Sequence, residues 1–529
     1  MNLPPSRPII FKCFALFLVI FSTGACVDLS PEITLTITPE NTSTTAPRTA
    51  QLTWTTKNTF GAFTDVHIFT DTGYDLGNVS FNGSQQVIRS KTTTYIMRAA
   101  TLIPGAQQAE AQTSVTLDVD EPQLSITDYF TSLMSDNPIP GLAAILMVDG
   151  NTVWSGAFGN SRLQSPGHNA IPVTLDTPFM LASISKTLMG TAYLHAWENA
   201  LGTPNEFSLD TNINDMGLPF TVDNPKVENE NITLRHLASH TSGLVDNSDF
   251  YWCAFLVNGE FPTVTLQGQQ FPLCNRTTPK EFEPLMEAFY VEYPTPGQKS
   301  LLYSATKNFA ATNPGEVSSY SNTAAALAGL AFQYKVGTSI DDYILQNIAG
   351  PLNLSSMKWH PSDYPPDTLA IPYTYNAEDG SCVPFNVEIP CVQNYYEYQD
   401  YFEIIPYPAG GLKASVNDVA KYLRMIVNNG ELDGTQILQP STLAEFNFNE
   451  PNTTNMFWRS WTASDGTNPV MLKGHQGATV GVSTGMFFDP NTKIAMVFLM
   501  NTDIATWKGR VYSDIVNRLY TEGQTYITP

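Results

Sequence analysis

The sequence predicts a two-part chain, a small all-β sandwich followed by a larger α+β unit, and two contrasts lead there. Residues 33–119 alternate Thr or Ser with apolar side chains over short runs broken by Gly, Asn, Asp and Pro. From Leu124 onward, stretches with apolar residues at helical spacing alternate with continuous apolar runs. Period-two alternation rich in β-branched residues suits half-buried strands, and 3.6-residue spacing suits helices. With 529 residues and 42% hydrophobic content, the chain can bury the cores of two or three domains.

In chain order, Arg7 and Lys12 precede an apolar run over 13–21 and the small residues Ser22, Thr23, Gly24 and Ala25. This is the layout of a secretory signal peptide over residues 1–25, and the run is too short to span a bilayer. The expected location is outside the cytoplasm: periplasmic, anchored in the outer membrane, or secreted. Cys26 follows at once and resembles the lipid-modified first residue of a bacterial lipoprotein, although Thr23 stands where leucine is usual. Lipidation at Cys26 and simple cleavage beside it both stay open. Two local cysteine pairs, Cys253 with Cys274 and Cys382 with Cys391, are disulfide candidates that suit an oxidising compartment.

The runs 33–38, 51–55, 92–96 and 114–117, with turn residues between them, read as strands of a β-sandwich over 30–120. This stretch resembles the immunoglobulin-like domains of exported bacterial proteins, with a spacer role expected. Residues 118–122 form the expected linker. Beyond it, 126–134 reads as a helix and 141–148 as a buried strand that turns at Asp149 and Gly150 into 152–154. Helices follow around 184–200, 321–335 and 415–429. Two late strands, 485–489 and 493–499, precede a last helix over 506–520. Helices about an antiparallel sheet, with a helical insertion, make an α+β layer arrangement.

The residues able to carry chemistry start with Ser183 and Lys186. A serine hydroxyl is a weak nucleophile until a neighbour takes its proton. Positions i and i+3 share a helix face, so the Lys186 amine can reach the Ser183 oxygen. Apolar residues at helical spacing (Leu188, Met189, Ala192, Tyr193, Trp197) should anchor this turn in a core. A second S-x-x-K, Ser304 to Lys307, is followed by Asn308, Asn313 and Pro314 and lacks such support. Gly481-Val482-Ser483-Thr484-Gly485 fits G-x-S-x-G, but strand and turn residues follow Ser483 where that motif requires a helix. His195, His236 and His240 read as structural.

Tyr320 and Asn322 stand two apart before an Ala-rich helix, and His475 and Gly477 stand just before the C-terminal hairpin. With the flanks HLASHTSGL (236–244) and PAGGLKASVNDVAKYL (408–423), the order S-x-x-K, Y-x-N, H-x-G resembles the serine hydrolases related to class C β-lactamases and D-alanyl-D-alanine carboxypeptidases, the penicillin-binding protein-like group. The resemblance covers about residues 124–521. It implies that Ser183 is acylated, that Lys186 activates it, and that Tyr320 works with Lys186 in proton transfer, its phenolate favoured by the nearby ammonium. It further implies that Asn322 hydrogen-bonds Lys186 or substrate, and that the N–H groups of Ser183 and Ala478 form an oxyanion hole. Gly477 would let a substrate backbone approach. His475 stands where β-lactamases proper carry a lysine that grips the drug's carboxylate, which points toward esterase or D-amino-acid peptidase chemistry. A catalytically silent envelope-binding protein of the same fold is the alternative.

Acids outnumber bases 49 to 26, for a net charge of −23, with no basic stripe, which argues against a nucleic-acid partner. Neither a metal-ligand spacing nor a phosphate-binding loop appears, so no metal and no cofactor are expected. The partner expected is a small ester, amide or peptide substrate. The aromatic segments 250–293 and 382–401 are expected to wall the cleft and favour a bulky or apolar acyl group.

Overall fold

The computed structural model describes residues 32–40, 48–57, 62–70, 75–89, 92–102, 109–117, 124–137, 139–165, 167–228, 230–266, 269–272, 274, 278–292, 302–376, 395–398, 401–450, 454–464, 468–503 and 509–527. The leader, Cys26, the linker 118–122 and the Cys382–Cys391 pair lie outside the described residues. The chain divides into two compact units, Met1–Ser125 and Ile126–Pro529.

The first unit holds strands β1 (Glu32–Pro39), β2 (Arg48–Lys57), β3 (Ala62–Thr70), β4 (Asp75–Asn78), β5 (Gly83–Arg89), β6 (Thr93–Leu102) and β7 (Ala109–Leu117). They form two antiparallel sheets, ordered β1-β2-β5 and β4-β3-β6-β7. Alternation sends Leu35, Leu52, Trp54 and Val87 from one sheet, and Val66, Ile68, Tyr95 and Met97 from the other, into one shared core.

The second unit is built on a seven-stranded antiparallel sheet. Its strands are β8 (Gly141–Val148), β9 (Asn151–Arg162), β10 (Ile171–Pro172), β11 (Arg459–Ser464), β12 (Pro469–Thr479), β13 (Val482–Phe488) and β14 (Ile494–Met500). Their order is β10-β9-β8-β14-β13-β12-β11, so the chain's first and last strands meet at the centre. There β8 pairs with β14 from Val148↔Ile494 to Leu142↔Met500. Both strands are apolar throughout because helices cover both faces. Ala143, Ile145, Met147, Val497 and Leu499 point into the main helical core, shared with α4 (Val416–Val427). The alternate residue Phe498 meets Tyr512 of the last helix, α5 (Gly509–Gln524), with ring centroids 5.0 Å apart. Phe130 of α1 (Ile126–Asp136) stacks on Trp154 of β9 at 5.2 Å. This is the α+β layering expected from the sequence.

Two helices of the main core carry the candidate site. Helix α2 (Ser185–Ala200) is buried on most of its surface, more than an amphipathic helix would be. Helix α3 (Asn322–Val336) is Ala-rich for the same reason, since small side chains let neighbours pack close. Ser321 caps it by accepting from Ala324 N at 3.0 Å, and Gly337 ends it at φ +81°.

Candidate functional site

Ser183 lies in a single 3-10 turn (Ala182–Ile184) that runs straight into α2. Leu181 N donates to Leu412 O at 2.8 Å, and Leu181 O accepts from Thr484 Oγ1 at 2.9 Å. Between these anchors Ala182 takes φ +49°, a left-handed conformation that costs a non-glycine residue roughly 1 kcal/mol. Ser183 itself stays partly accessible at the head of the buried helix.

Lys186 is fully buried. Its Nζ donates to Ser183 Oγ at 3.0 Å, to Asn322 Oδ1 at 2.8 Å and to the Ala409 carbonyl, so three protons meet three acceptors. Burial pulls its pKa from 10.5 down to about 7; the Asp246 carboxylate opposes that fall and the Arg459 cation adds to it. Near neutrality the amine therefore exists in both forms.

Tyr320 comes from the segment before α3, and its hydroxyl donates to Ser183 Oγ at 2.9 Å. The phenolate expected beside an ammonium is not favoured here. Loss of hydration pushes the phenol's pKa up, outweighing the Ser183 hydrogen bond and the Arg459 charge that pull it down. Tyr320 is thus a proton donor in the resting site. Lys186 Nζ lies 5.2 Å and Arg459 Cζ 5.0 Å from the centre of its ring.

Two histidines pack around the same phenol. His240, at φ +56° in the HTSG turn, lies 4.4 Å from the Tyr320 ring and accepts from Ser321 N at 3.3 Å. It is structural, as expected, but it braces a functional residue. His475 lies 6.1 Å from the ring. It sits inside β12 rather than just before the hairpin, because the reversal falls later, at Val480 and Gly481. Its Nδ1 meets the Gln476 carbonyl at 2.6 Å, which assigns the proton to Nδ1, while Nε2 is buried without a partner. Burial first, then the Lys186 charge, lowers its pKa to about 3, so this imidazole is neutral and supplies no cation where β-lactamases carry lysine.

Gly477 has a different neighbour from the one its sequence context suggested. A Cβ there would stand 2.2 Å from Leu181 O and 2.1 Å from Thr484 Oγ1. The glycine lets β12 approach the nucleophile's own turn rather than a substrate backbone. Gly477→Ala is therefore expected to displace Ser183, lowering Tm and cutting kcat/KM by about a hundredfold. Unchanged melting and turnover would remove this role.

Sequence reasoning missed Asp246. Its carboxylate accepts from Ser321 Oγ (2.8 Å), Asn322 N (2.8 Å), Asn322 Nδ2 (3.0 Å), Thr323 N (2.9 Å), Thr323 Oγ1 (2.9 Å) and Tyr251 OH (2.8 Å). It satisfies the open N–H groups of α3 and turns Asn322 so that its carbonyl oxygen faces Lys186. Its only clue was its place just after the HTSGL flank. Ala478 pairs with Ser483 across β12 and β13, whereas β11 pairs only with Pro469 to Gly474 and leaves this part of the β12 edge beside the Ser183 turn. The two rival motifs are set aside: Ser304 to Lys307 forms turns, and Ser483 is buried within β13.

The Cys253–Cys274 pair is disulfide-bonded. The aromatics of that insertion divide. Phe250, Phe261 and Tyr290 are interior and do not wall a cleft; Phe250, for example, packs on Phe289 at 5.1 Å. Tyr251 and Phe255 do reach the site. The Tyr251 hydroxyl accepts from Asn322 Nδ2 at 3.0 Å. Phe255 belongs to a small apolar cluster with Met180, Ala182, Phe402 and Val482, beside the nucleophile.

A buried lysine, a neutral phenol and a strained turn converging on one serine oxygen define a serine-hydrolase site. The family model described as Beta-lactamase matches residues 126–514, and the chain belongs to that family of serine hydrolases. Among solved structures, the octameric penicillin-binding protein homologue from Pyrococcus abyssi is similar at TM-score 0.54 and 18% identity, covering 75% of this chain and 76% of that one. The D-amino acid amidase from Ochrobactrum anthropi SV3 aligns at TM-score 0.51 and 20% identity over 75% of this chain and 98% of its own. A class C β-lactamase aligns at TM-score 0.51 and 17% identity over 76% and 96%. No curated protein matches the sequence significantly.

Proposed function

We propose that this enzyme is an exported hydrolase that cleaves an ester or amide through an acyl-enzyme on Ser183, as an esterase or D-amino-acid peptidase rather than an efficient β-lactamase. The observation that carries this is the pair of hydrogen bonds on Ser183 Oγ, 3.0 Å from Lys186 Nζ and 2.9 Å from Tyr320 OH. In acylation the neutral Lys186 amine takes the Ser183 proton as Oγ bonds to the carbonyl carbon. Tyr320 gives its proton to the leaving group as that bond breaks, and recovers one from Lys186. Water then attacks the acyl carbon; the acyl–Oγ bond breaks and Ser183 regains its proton. The N–H groups of Ser183 and Ala478 would hold the oxyanion, each donor worth roughly 3 kcal/mol in the transition state. The silent-binder alternative is less favoured, because each catalytic side chain is present and connected. The signal-peptide layout supports export; mass spectrometry of the mature N-terminus distinguishes lipidated Cys26 from simple cleavage.

The neutral His475 disfavours β-lactams, and an apolar wall supports a bulky acyl group. Strand Phe255–Val257 pairs with Phe402–Ile404, and Phe255 meets Phe402 edge-on at 5.4 Å. A panel of p-nitrophenyl esters, D-amino-acid amides, D-Ala-D-Ala peptides and a chromogenic cephalosporin tests the proposal. Esters of medium acyl chains should be preferred to acetate, and Phe255→Ala should reduce that preference by about tenfold. Faster turnover of the cephalosporin than of any ester or amide would reject it.

A further inference from the structure

We infer that Arg459 anchors a carboxylate on the leaving-group side of the substrate, so that the enzyme selects esters or amides whose departing half is an acid. This deepens the proposed hydrolase reading and rests on it. Arg459 opens β11, pairs with Gly474 and so lies one register step from His475. It is exposed, and its guanidinium carbon lies 5.0 Å from the centre of the Tyr320 ring, whose hydroxyl is 2.9 Å from the nucleophile.

What marks this arginine is its missing partner. Arg162, Arg235, Arg424 and Arg518, in the same unit, each pair with a carboxylate at 3.1 Å or less. Arg459 has no hydrogen-bond acceptor or ion pair among the described residues. The carboxylate in the same network, Asp246, already accepts from six donors around α3. In a chain of net charge −23, an unpaired cation in the reactive crevice stands out against the surface field.

The chemistry fits one ligand class. A guanidinium can lay its face on an aromatic ring and still offer two parallel N–H groups to a carboxylate, which an ammonium cannot. The ring under Arg459 belongs to the phenol that hands its proton to the leaving group, so the free fork lies near the departing half. The Arg459 charge also pushes protons off Lys186, His240 and His475, as a guanidinium sharing their cavity should. With His475 neutral, Arg459 takes over the anion-gripping task from another strand.

The test uses two esters with the same hexanoyl group, one of 3-hydroxybenzoic acid and one of its methyl ester. Their kcat/KM ratio cancels any effect of Arg459 on Tyr320 itself. Wild type should favour the free acid, the ratio falling with added salt. Arg459→Gln should lower the ratio by about tenfold or more, the size of a lost charge-assisted pair, and Arg459→Lys should restore part of it. If both esters slow equally in Arg459→Gln, the residue acts on Tyr320 alone and the anchor is overturned. Calorimetric binding of 3-hydroxybenzoate to Ser183→Ala, with and without Arg459→Gln, needs no turnover. Arg459-dependent binding by an enzyme inert toward both esters would keep the anchor and reject the hydrolase; no binding at all would reject the anchor.

Discussion

Ser183→Ala is expected to lower kcat/KM on the preferred ester by roughly 10⁴-fold or more and to abolish covalent labelling by a fluorophosphonate. The effect is large because the oxygen has no substitute. Ser185, the nearest hydroxyl in the chain, is fully buried, accepts from Leu412 N and donates to Ala182 O. The fold should hardly notice, since the hydroxyl lost is only partly buried. Equal labelling of variant and wild type, with melting unchanged, would place the nucleophile elsewhere and remove the acyl-enzyme.

That Ser183 could be found from the sequence reflects how local its partner is. An i,i+3 spacing at a helix start fixes the lysine against the serine whatever surrounds them, and the buried run behind it was legible as core. Tyr320 and Asn322 were legible through their place before a capped helix. Contacts that span the chain were not. Asp246 meets Asn322 across 76 residues, and Lys186 meets the Ala409 carbonyl across 223, so no periodicity announces either. Hydropathy likewise cannot tell an aromatic that lines a cleft from one that fills a core; Phe250 and Phe255 look alike in the sequence and part in the structure. The error over Tyr320 has the same root. Counting charges near a phenol predicts a phenolate, whereas burial, which the sequence does not report residue by residue, sets the opposite sign.

That sign reversal makes Lys186 the group whose titration governs the rate. The amine must be neutral to take the Ser183 proton, and burial has brought its pKa from 10.5 to about 7. Log kcat/KM should rise with pH on a single limb centred near 7 and then stay level into the alkaline range, because Tyr320 must be protonated and its own pKa is pushed above 10. Lys186→Ala should cost several orders of magnitude, and Lys186→Arg should not rescue it, since a guanidinium keeps its proton. Asp246→Asn separates electrostatics from packing. Removing the carboxylate that holds the ammonium form in place should move the acid limb to lower pH, while the loosened Asn322 reduces the plateau. A limb that stays put in Asp246→Asn, or one that lies near 10 in wild type, would mean that Lys186 titrates as an ordinary ammonium. The proton of Ser183 would then have to leave by way of Tyr320, whose burial makes it the poorer base.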